Sequence, residues 1–125
     1  MPTRSGKTST LRGRWAEQIA LEYLLDKKLK LLERNFRSAF GEIDLIMQDK
    51  NTILFIEVRY RSSNYFHTAL ESINRKKCER IIITSNQYLS QNRAASHMDC
   101  RFDVIALSGK QETPAIEWIK NAFQA

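Results

Sequence analysis

Residues 41–61 read GEIDLIMQDKNTILFIEVRYR and decide the fold, because they contain two apolar runs joined by a polar turn. Such runs predict the two neighbouring strands of a β-hairpin. Each run also carries acids among its apolar residues, namely Glu42 and Asp44 in the first and Glu57 in the second. A hairpin selected only for folding would place apolar side chains there, so the acids need a separate explanation.

The loop between the two strands decides how Asp44 lies relative to Glu57. A two-residue loop at 50–51 places the two acids directly opposite each other, because side chains alternate between faces along a strand. A loop one residue earlier makes them diagonal neighbours on the same face, and a loop of odd length separates them. The sequence leaves these three alternatives open.

Acids that oppose each other across two strands destabilise a hairpin unless something compensates their charge. A divalent cation, Mg²⁺ or Mn²⁺, does so directly because it prefers carboxylate oxygens and can also bind phosphate. The alternative is an ion-pair network in which Arg59 and Arg61 neutralise Asp44 and Glu57 without a metal. Spacing alone does not separate the two explanations.

A third acid belongs to a helix that precedes the hairpin. From Leu11 to near Lys27 the apolar residues recur at helical spacing. Glu17 falls in the same sector of this helix as Ala20 and Leu24, which directs it inward or to the boundary of the core. We therefore expect Glu17 to join the hairpin acids, although a boundary glutamate paired with a nearby basic residue would show the same spacing.

The remaining elements complete an α/β fold. Periodicity predicts a strand over 29–36, a helix over about 68–90, and strands over 101–107 and 115–119. Together with the first helix and the hairpin they give the order α-β-β-β-α-β-β, in which a strand meander is followed by a helical crossover. We expect a single mixed β-sheet flanked by helices, in one domain that spans 1–125.

The charge of the chain favours an acidic partner. Its formal net charge is +6 and its sequence pI is about 9.5, which suits a polyanion such as nucleic acid. Basic residues cluster near the N-terminus and again at 75–77, and solvated helix ends would explain either cluster equally well. The residues predicted to bind nucleic acid are Arg12, Arg14, Arg61, Arg75, Lys76 and Lys77.

The sequence also bounds the location of the protein. We expect residues 1–9 to form a flexible basic arm, since no continuous apolar segment follows that would make a signal peptide or a membrane span. Cys78 and Cys100 are far apart and show no CxxC spacing, which suits a reducing compartment. These features predict a cytoplasmic protein without a membrane partner.

Six motifs occur in order along nearly the whole chain. They are Gly13-x-x-Ala16-Glu17, Arg34-Asn35, Gly41-Glu42-Ile43-Asp44-Leu45-Ile46, Phe55-Ile56-Glu57-Val58-Arg59-x-Arg61, Arg101-Phe102-Asp103-Val104 and Asn121-Ala122-Phe123. As an ordered set they resemble the YraN family of small bacterial proteins. That family resembles the PD-(D/E)XK nuclease superfamily, with its restriction-endonuclease-like fold, and in its first half it is similar to archaeal Holliday-junction resolvases.

The resemblance assigns roles to residues of this sequence. It places the metal-binding aspartate on Asp44, the second acid on Glu57 and the helix acid on Glu17, so that all three would hold Mg²⁺ or Mn²⁺. The catalytic lysine of the superfamily falls on Arg59, which is a departure from the pattern. Arginine stays protonated, so Arg59 can position water or stabilise negative charge but cannot accept a proton.

Three functions are consistent with these observations. The resemblance implies a metal-dependent nuclease acting on DNA, including branched or structured DNA, with Glu17, Asp44, Glu57 and Arg59 as catalytic residues. The departure at Arg59 also fits a nucleic-acid-binding protein of the same fold that has lost catalysis. A third alternative is an interaction module of a DNA repair or recombination assembly, in which the acids are structural. Junction resolvases act as symmetric dimers, so the resemblance extends to a homodimer, although no sequence feature marks an interface.

Overall fold

The computed structural model describes residues 10–62 and 73–125. In chain order these residues form α1 (Leu11–Asp26), β1 (Lys30–Arg37), β2 (Glu42–Asp49), β3 (Thr52–Arg61), α2 (Arg75–Gln91), α3 (Arg93–Ser96), β4 (Asp99–Ser108) and β5 (Ala115–Phe123). The basic arm expected at 1–9 and the first part of the helix expected at 68–90 lie outside the described residues. Within them, no helix is both long and apolar enough to cross a membrane.

The five strands form one open sheet in the order β1-β2-β3-β4-β5. Strands β3 and β4 run parallel, whereas the other three neighbouring pairs are antiparallel. A parallel pair needs a crossover connection, and α2 lies within it. The predicted α/β fold with a single mixed sheet, and its order of elements, are therefore confirmed. The structure adds the single turn α3 and extends β5 beyond the predicted strand.

Helices cover both faces of the central strands. The face against α1, called the α1 face, carries Leu45, Ile56 and Val58 in one apolar cluster. The opposite face, called the α2 face, carries Ile46 and Phe55 in a second cluster with residues of α2. Burial on both faces explains why β2 and β3 are nearly continuous apolar runs, since strands of this kind have no solvent side.

The β2–β3 hairpin closes with a two-residue loop, because Asp49 pairs with Thr52. Of the three loops that the sequence left open, the structure thus has the one at 50–51. Pairing continues as far as Leu45 and Ile56. Asp44 and Glu57, the next residue in each strand, lie just beyond this last pair.

A buried aspartate joins β4 to β5. Asp103 is fully buried and accepts two hydrogen bonds from the Arg101 guanidinium, each 2.9 Å, and one from the Trp118 indole N–H at 2.8 Å. The backbone N–H of Asn121 donates a fourth at 2.8 Å, from a left-handed conformation with φ 55°. Residues of two motifs that the resemblance singled out, around Asp103 and Asn121, therefore connect the last two strands.

Candidate metal centre and nucleic-acid interface

Glu17 lies on the buried side of α1. The helix starts at Thr10, whose hydroxyl accepts a hydrogen bond from the Gly13 N–H at 2.8 Å and so satisfies one of the free donors of the first turn. Helical spacing then places Glu17 among the buried residues Gly13, Ala16 and Ala20. Only 1% of the Glu17 surface is exposed. The side chain therefore faces inward, as its position in the helical pattern predicted.

Strand β2 changes faces at Asp44. Ile43 packs on the α2 face, whereas Leu45 packs on the α1 face, although residues two apart in a regular strand share a face. Asp44 lies between them and is 2% exposed. Its Oδ2 accepts a hydrogen bond from the Val58 backbone N–H of β3 at 2.8 Å. The carboxylate thus bonds the backbone of the neighbouring strand just past the last β2–β3 pair.

Strand β1 changes faces at the matching position, Asn35. Arg34 donates a hydrogen bond to Gln18 of α1 at 3.2 Å, and Phe36 packs on the α2 face. The register of β1 with β2 brings Asn35 opposite Asp44. Asn35 has a left-handed backbone with φ 53°. The two strands therefore twist together at one pair of positions, which the alternation rule alone does not predict.

Three carboxyl groups converge at this twist. Oxygen atoms of Glu17, Glu42 and Asp44 all lie within 4.8 Å of one another. Two of the three residues are buried, and Glu42 is half-buried with the guanidinium of Arg37 at 3.6 Å. Carboxylates brought together in this way repel each other, and the repulsion grows with burial. A site made only of carboxylate oxygens suits a hard divalent cation such as Mg²⁺ or Mn²⁺, so the residues fit the predicted ion.

Glu57 lies beside two cations. It is 2% exposed, and its Oε2 is 3.0 Å from Arg59 Nη2 and 3.8 Å from Lys77 Nζ. It is not part of the group of three carboxylates that the structure brings together in the described residues. Arg61 instead donates to the backbone carbonyl of Tyr60 at 3.2 Å. Ion pairing by Arg59, one of the alternatives left open by the sequence, is thus present at Glu57, while metal binding by Glu57 stays a prediction.

Cys78, in the first turn of α2, lies near Glu57 and Arg59. Burial raises the pKa of the Cys78 thiol, the negative charge of Glu57 raises it further, and the positive charge of Arg59 lowers it. The thiol is therefore close enough to both groups to sense their charges. At neutral pH it stays protonated and is a poor nucleophile.

Removing the charge of Glu57 is expected to lower the pKa of Cys78. In a Cys100→Ser background, the pH midpoint for alkylation of Cys78 should fall in Glu57→Gln, because a charge that destabilises the thiolate is lost. It should rise in Arg59→Gln, since a charge that stabilises the thiolate is lost. Iodoacetamide rates across pH measure both shifts, and equal midpoints in the three proteins would contradict this arrangement.

A pocket of 170 Å³ opens beside the N-terminal end of α1. Its lining residues are Thr10, Arg12, Gly13, Ala16, Arg59, Tyr60 and Arg61. The Arg12 guanidinium lies 5.7 Å from the centre of the Tyr60 ring, which also contacts Trp15 edge to face at 5.2 Å. The buried Nε of Arg59 has no hydrogen-bond partner in the described parts of the chain. Three arginines therefore line the pocket, which makes it cationic, as a phosphate site would be.

The other predicted basic residues are not among those that line this pocket. Arg14, Arg75 and Lys76 are exposed, and Lys77 is half-buried near Glu57. Their roles in nucleic-acid binding stay predictions.

Sequence reasoning assigned no role to Glu42 and no contact with Glu57 to Lys77. Glu42 had a usable signal, because it is two residues before Asp44 in a strand. Lys77 had none, since local sequence patterns do not determine which strand a helix packs against.

The chain is similar to a known family over most of its length. Residues 16–107 match the family described as Uncharacterised protein family UPF0102. A UPF0102 protein of Methylococcus capsulatus is 42% identical over 97% of this chain and 97% of its own length. UPF0102 proteins of Nitrosomonas europaea and Psychromonas ingrahamii are 47% and 46% identical, over 90% and 94% of this chain and 92% and 93% of their own. The matched region contains all the acids described above.

Proposed function

The chain belongs to the UPF0102 family, which is the YraN family that its motifs predicted, and we propose that it is a metal-dependent nuclease acting on DNA. The observation that carries this proposal is the convergence of Glu17, Glu42 and Asp44 from a helix and a strand. The sequence-based expectation of a nuclease-like fold points the same way. The proposal extends to branched or structured DNA and to a homodimer, which the resemblance to junction resolvases implies.

Glu17, Glu42 and Asp44 would hold the ion, which is Mg²⁺ or Mn²⁺. Bound there, such an ion polarises a phosphoryl oxygen and lowers the pKa of water. The protein supports this role by fixing the three carboxylates before any ligand binds. Asp44 is held by the Val58 N–H, and Glu17 is held by the packed side of α1. Rigid placement of this kind reduces the free energy of reorganisation on binding.

Arg59 would contact the phosphate that undergoes cleavage. Its Nη2 pairs with Glu57, and Arg59 is one of the residues that line the cationic pocket. A guanidinium held in this way can donate to a phosphate oxygen and stabilise the negative charge that develops there. Lys77 adds a second positive charge near Glu57. Neither residue needs to accept a proton for this role.

The pocket would bind the DNA backbone. Arg12 and Arg61 line it together with Arg59, and the aromatic ring of Tyr60 lies beneath Arg12. Arginines recognise phosphate through several donors at once, which makes them effective contacts to a DNA strand. The net charge of +6 adds a long-range attraction for polyanions.

A second candidate function is binding of DNA without cleavage. The specific observation in its favour is that Glu57 is paired with Arg59 and Lys77. Two cations near this carboxylate can take the place that a metal would otherwise have. A protein of this kind would still bind phosphate in the pocket, and its affinity for DNA would fall steeply with salt.

A cleavage assay separates the two functions. Wild type, Glu57→Ala and Arg59→Lys are incubated with Mg²⁺ or Mn²⁺ and with duplex, single-stranded, flap and four-way-junction DNA. We expect metal-dependent cleavage by wild type, loss of cleavage in Glu57→Ala, and a rate increase of about 10- to 100-fold in Arg59→Lys, where a lysine can take part in proton transfer.

Two negative outcomes of this assay would reject the nuclease proposal. Intact substrates for all three proteins at high protein excess, together with salt-dependent binding, would reject the nuclease and favour the binding protein. Intact substrates without any DNA binding would reject both. Sedimentation of the protein with and without junction DNA tests the homodimer separately.

A further inference from the structure

The backbone of Asn35 is unusual for a residue inside a strand. Its φ of 53° is left-handed, a conformation that Asn tolerates better than most residues because its side chain can bond locally. Strain of this kind persists where the surrounding structure requires it, and it is frequent at functional sites. At Asn35 the two flanking residues of β1 show what requires this conformation, because they lie on opposite faces of the sheet. Arg34 faces α1 while Phe36 faces α2, just as Leu45 and Ile43 do in the paired strand.

This change of face determines where Asp44 points. In a regular strand Asp44 would share the α2 face with Ile46, on the side of the sheet opposite to α1. Glu17 is on α1. Because Asn35 and Asp44 occupy facing positions in neighbouring strands, the strands can stay paired only if both change faces at this point. The left-handed residue Asn35 of β1 therefore lies opposite the point at which Asp44 is close to Glu17.

The side chain of Asn35 provides an independent observation. Its Oδ1 is buried and accepts no hydrogen bond from residues 10–62 or 73–125. A buried acceptor without a donor is destabilising. Across the strand lies Asp44, and its oxygens serve as hydrogen-bond acceptors, as its bond from the Val58 N–H shows. A cation satisfies both groups at once, and neutral amide oxygens are common partners of carboxylates in sites for hard cations.

We propose that Asn35 is a further residue of the cation site, where its backbone positions Asp44 and its Oδ1 adds a neutral oxygen ligand. The inference rests on the proposed metal site. It assigns to Asn35 two separable contributions, one through φ and one through the oxygen atom. Substitutions can remove them one at a time.

The experiment measures Mn²⁺ affinity of the full chain without DNA, by electron paramagnetic resonance, and the melting temperature of each variant. Asn35→Gly keeps the backbone conformation but removes the oxygen, so we expect Mn²⁺ to bind about 10-fold more weakly with little change in melting temperature. Asn35→Ala loses both contributions and should bind still more weakly and melt lower. Asn35→Asp restores an oxygen and should bind at least as tightly as wild type.

Asn121 supplies a matched control. It also has a left-handed backbone, with φ 55°, but it lies in β5 and bonds to Asp103. Asn121→Gly should leave Mn²⁺ affinity unchanged. If wild type binds Mn²⁺ and Asn35→Gly binds it equally well, the role of the Asn35 oxygen is refuted while the proposed nuclease stands. If wild type binds no Mn²⁺ at millimolar concentration, the metal site itself is refuted, and this inference with it.

Discussion

Asp44→Asn is expected to abolish metal-dependent cleavage and to weaken Mn²⁺ binding by at least about 100-fold, the upper end of the effect seen for residues that merely support a metal ligand. Asp44 belongs to the three-carboxylate group, together with Glu17 on α1 and Glu42 on the same strand. An amide has no charge to attract the cation. It can still accept the hydrogen bond from the Val58 N–H, so the variant should fold normally.

The control for this variant is Asp49→Asn, at the other end of the same strand. Asp49 pairs with Thr52 next to the hairpin loop and takes no part in the carboxylate group. Its substitution should leave both Mn²⁺ affinity and cleavage near wild type. If neither wild type nor Asp44→Asn cleaves DNA or binds Mn²⁺ at millimolar concentration, the result would instead support an interaction module with structural acids, the third function considered from the sequence.

The largest effect on stability is expected from Asp103→Ala. The substitution removes the acceptor of four hydrogen bonds and leaves the Arg101 guanidinium, the Trp118 indole and the Asn121 N–H without it. Breaking a buried charged pair by removing one partner costs about 3–5 kcal/mol. Because water reaches part of the Arg101 side chain, we expect the lower end, about 3 kcal/mol, in the free energy of unfolding measured with urea.

Asp99→Ala is the matched control, since Asp99 is exposed at the start of the same strand. Its effect on unfolding should stay within about 0.5 kcal/mol. A loss of stability of similar size in the two variants would contradict the role of Asp103 in joining β4 to β5.

The contribution that Arg101 makes through its own charge should not titrate at physiological pH. The hydrogen bonds to Asp103 raise the pKa of Arg101. A base whose pKa is raised by folding gives its full stabilisation below the pKa of the unfolded state and loses it only as the pH rises past the folded value. For arginine both values are strongly alkaline, so this stabilisation persists across the range in which the protein can be assayed.

The sequence by itself determined the order of the elements and which acids lie in or face the core. Helical spacing from Leu11 onward gave α1 with Glu17 on its inner side, and apolar runs around a polar turn gave the β2–β3 hairpin. These are local properties, because each depends on neighbours a few residues away. Acids at positions that favour apolar residues also indicated either a cation site or an ion-pair network, which spacing alone does not separate.

Only the tertiary structure decided which acids meet. Alternation alone would have kept Asp44 away from the α1 face, but β2 changes faces at this residue and Asp44 meets Glu17 and Glu42. The packing of α2 against the sheet placed Lys77 beside Glu57. The physical reason is that periodicity fixes the direction of a side chain within one element, whereas the φ of a single residue and the packing of distant helices fix where two elements touch.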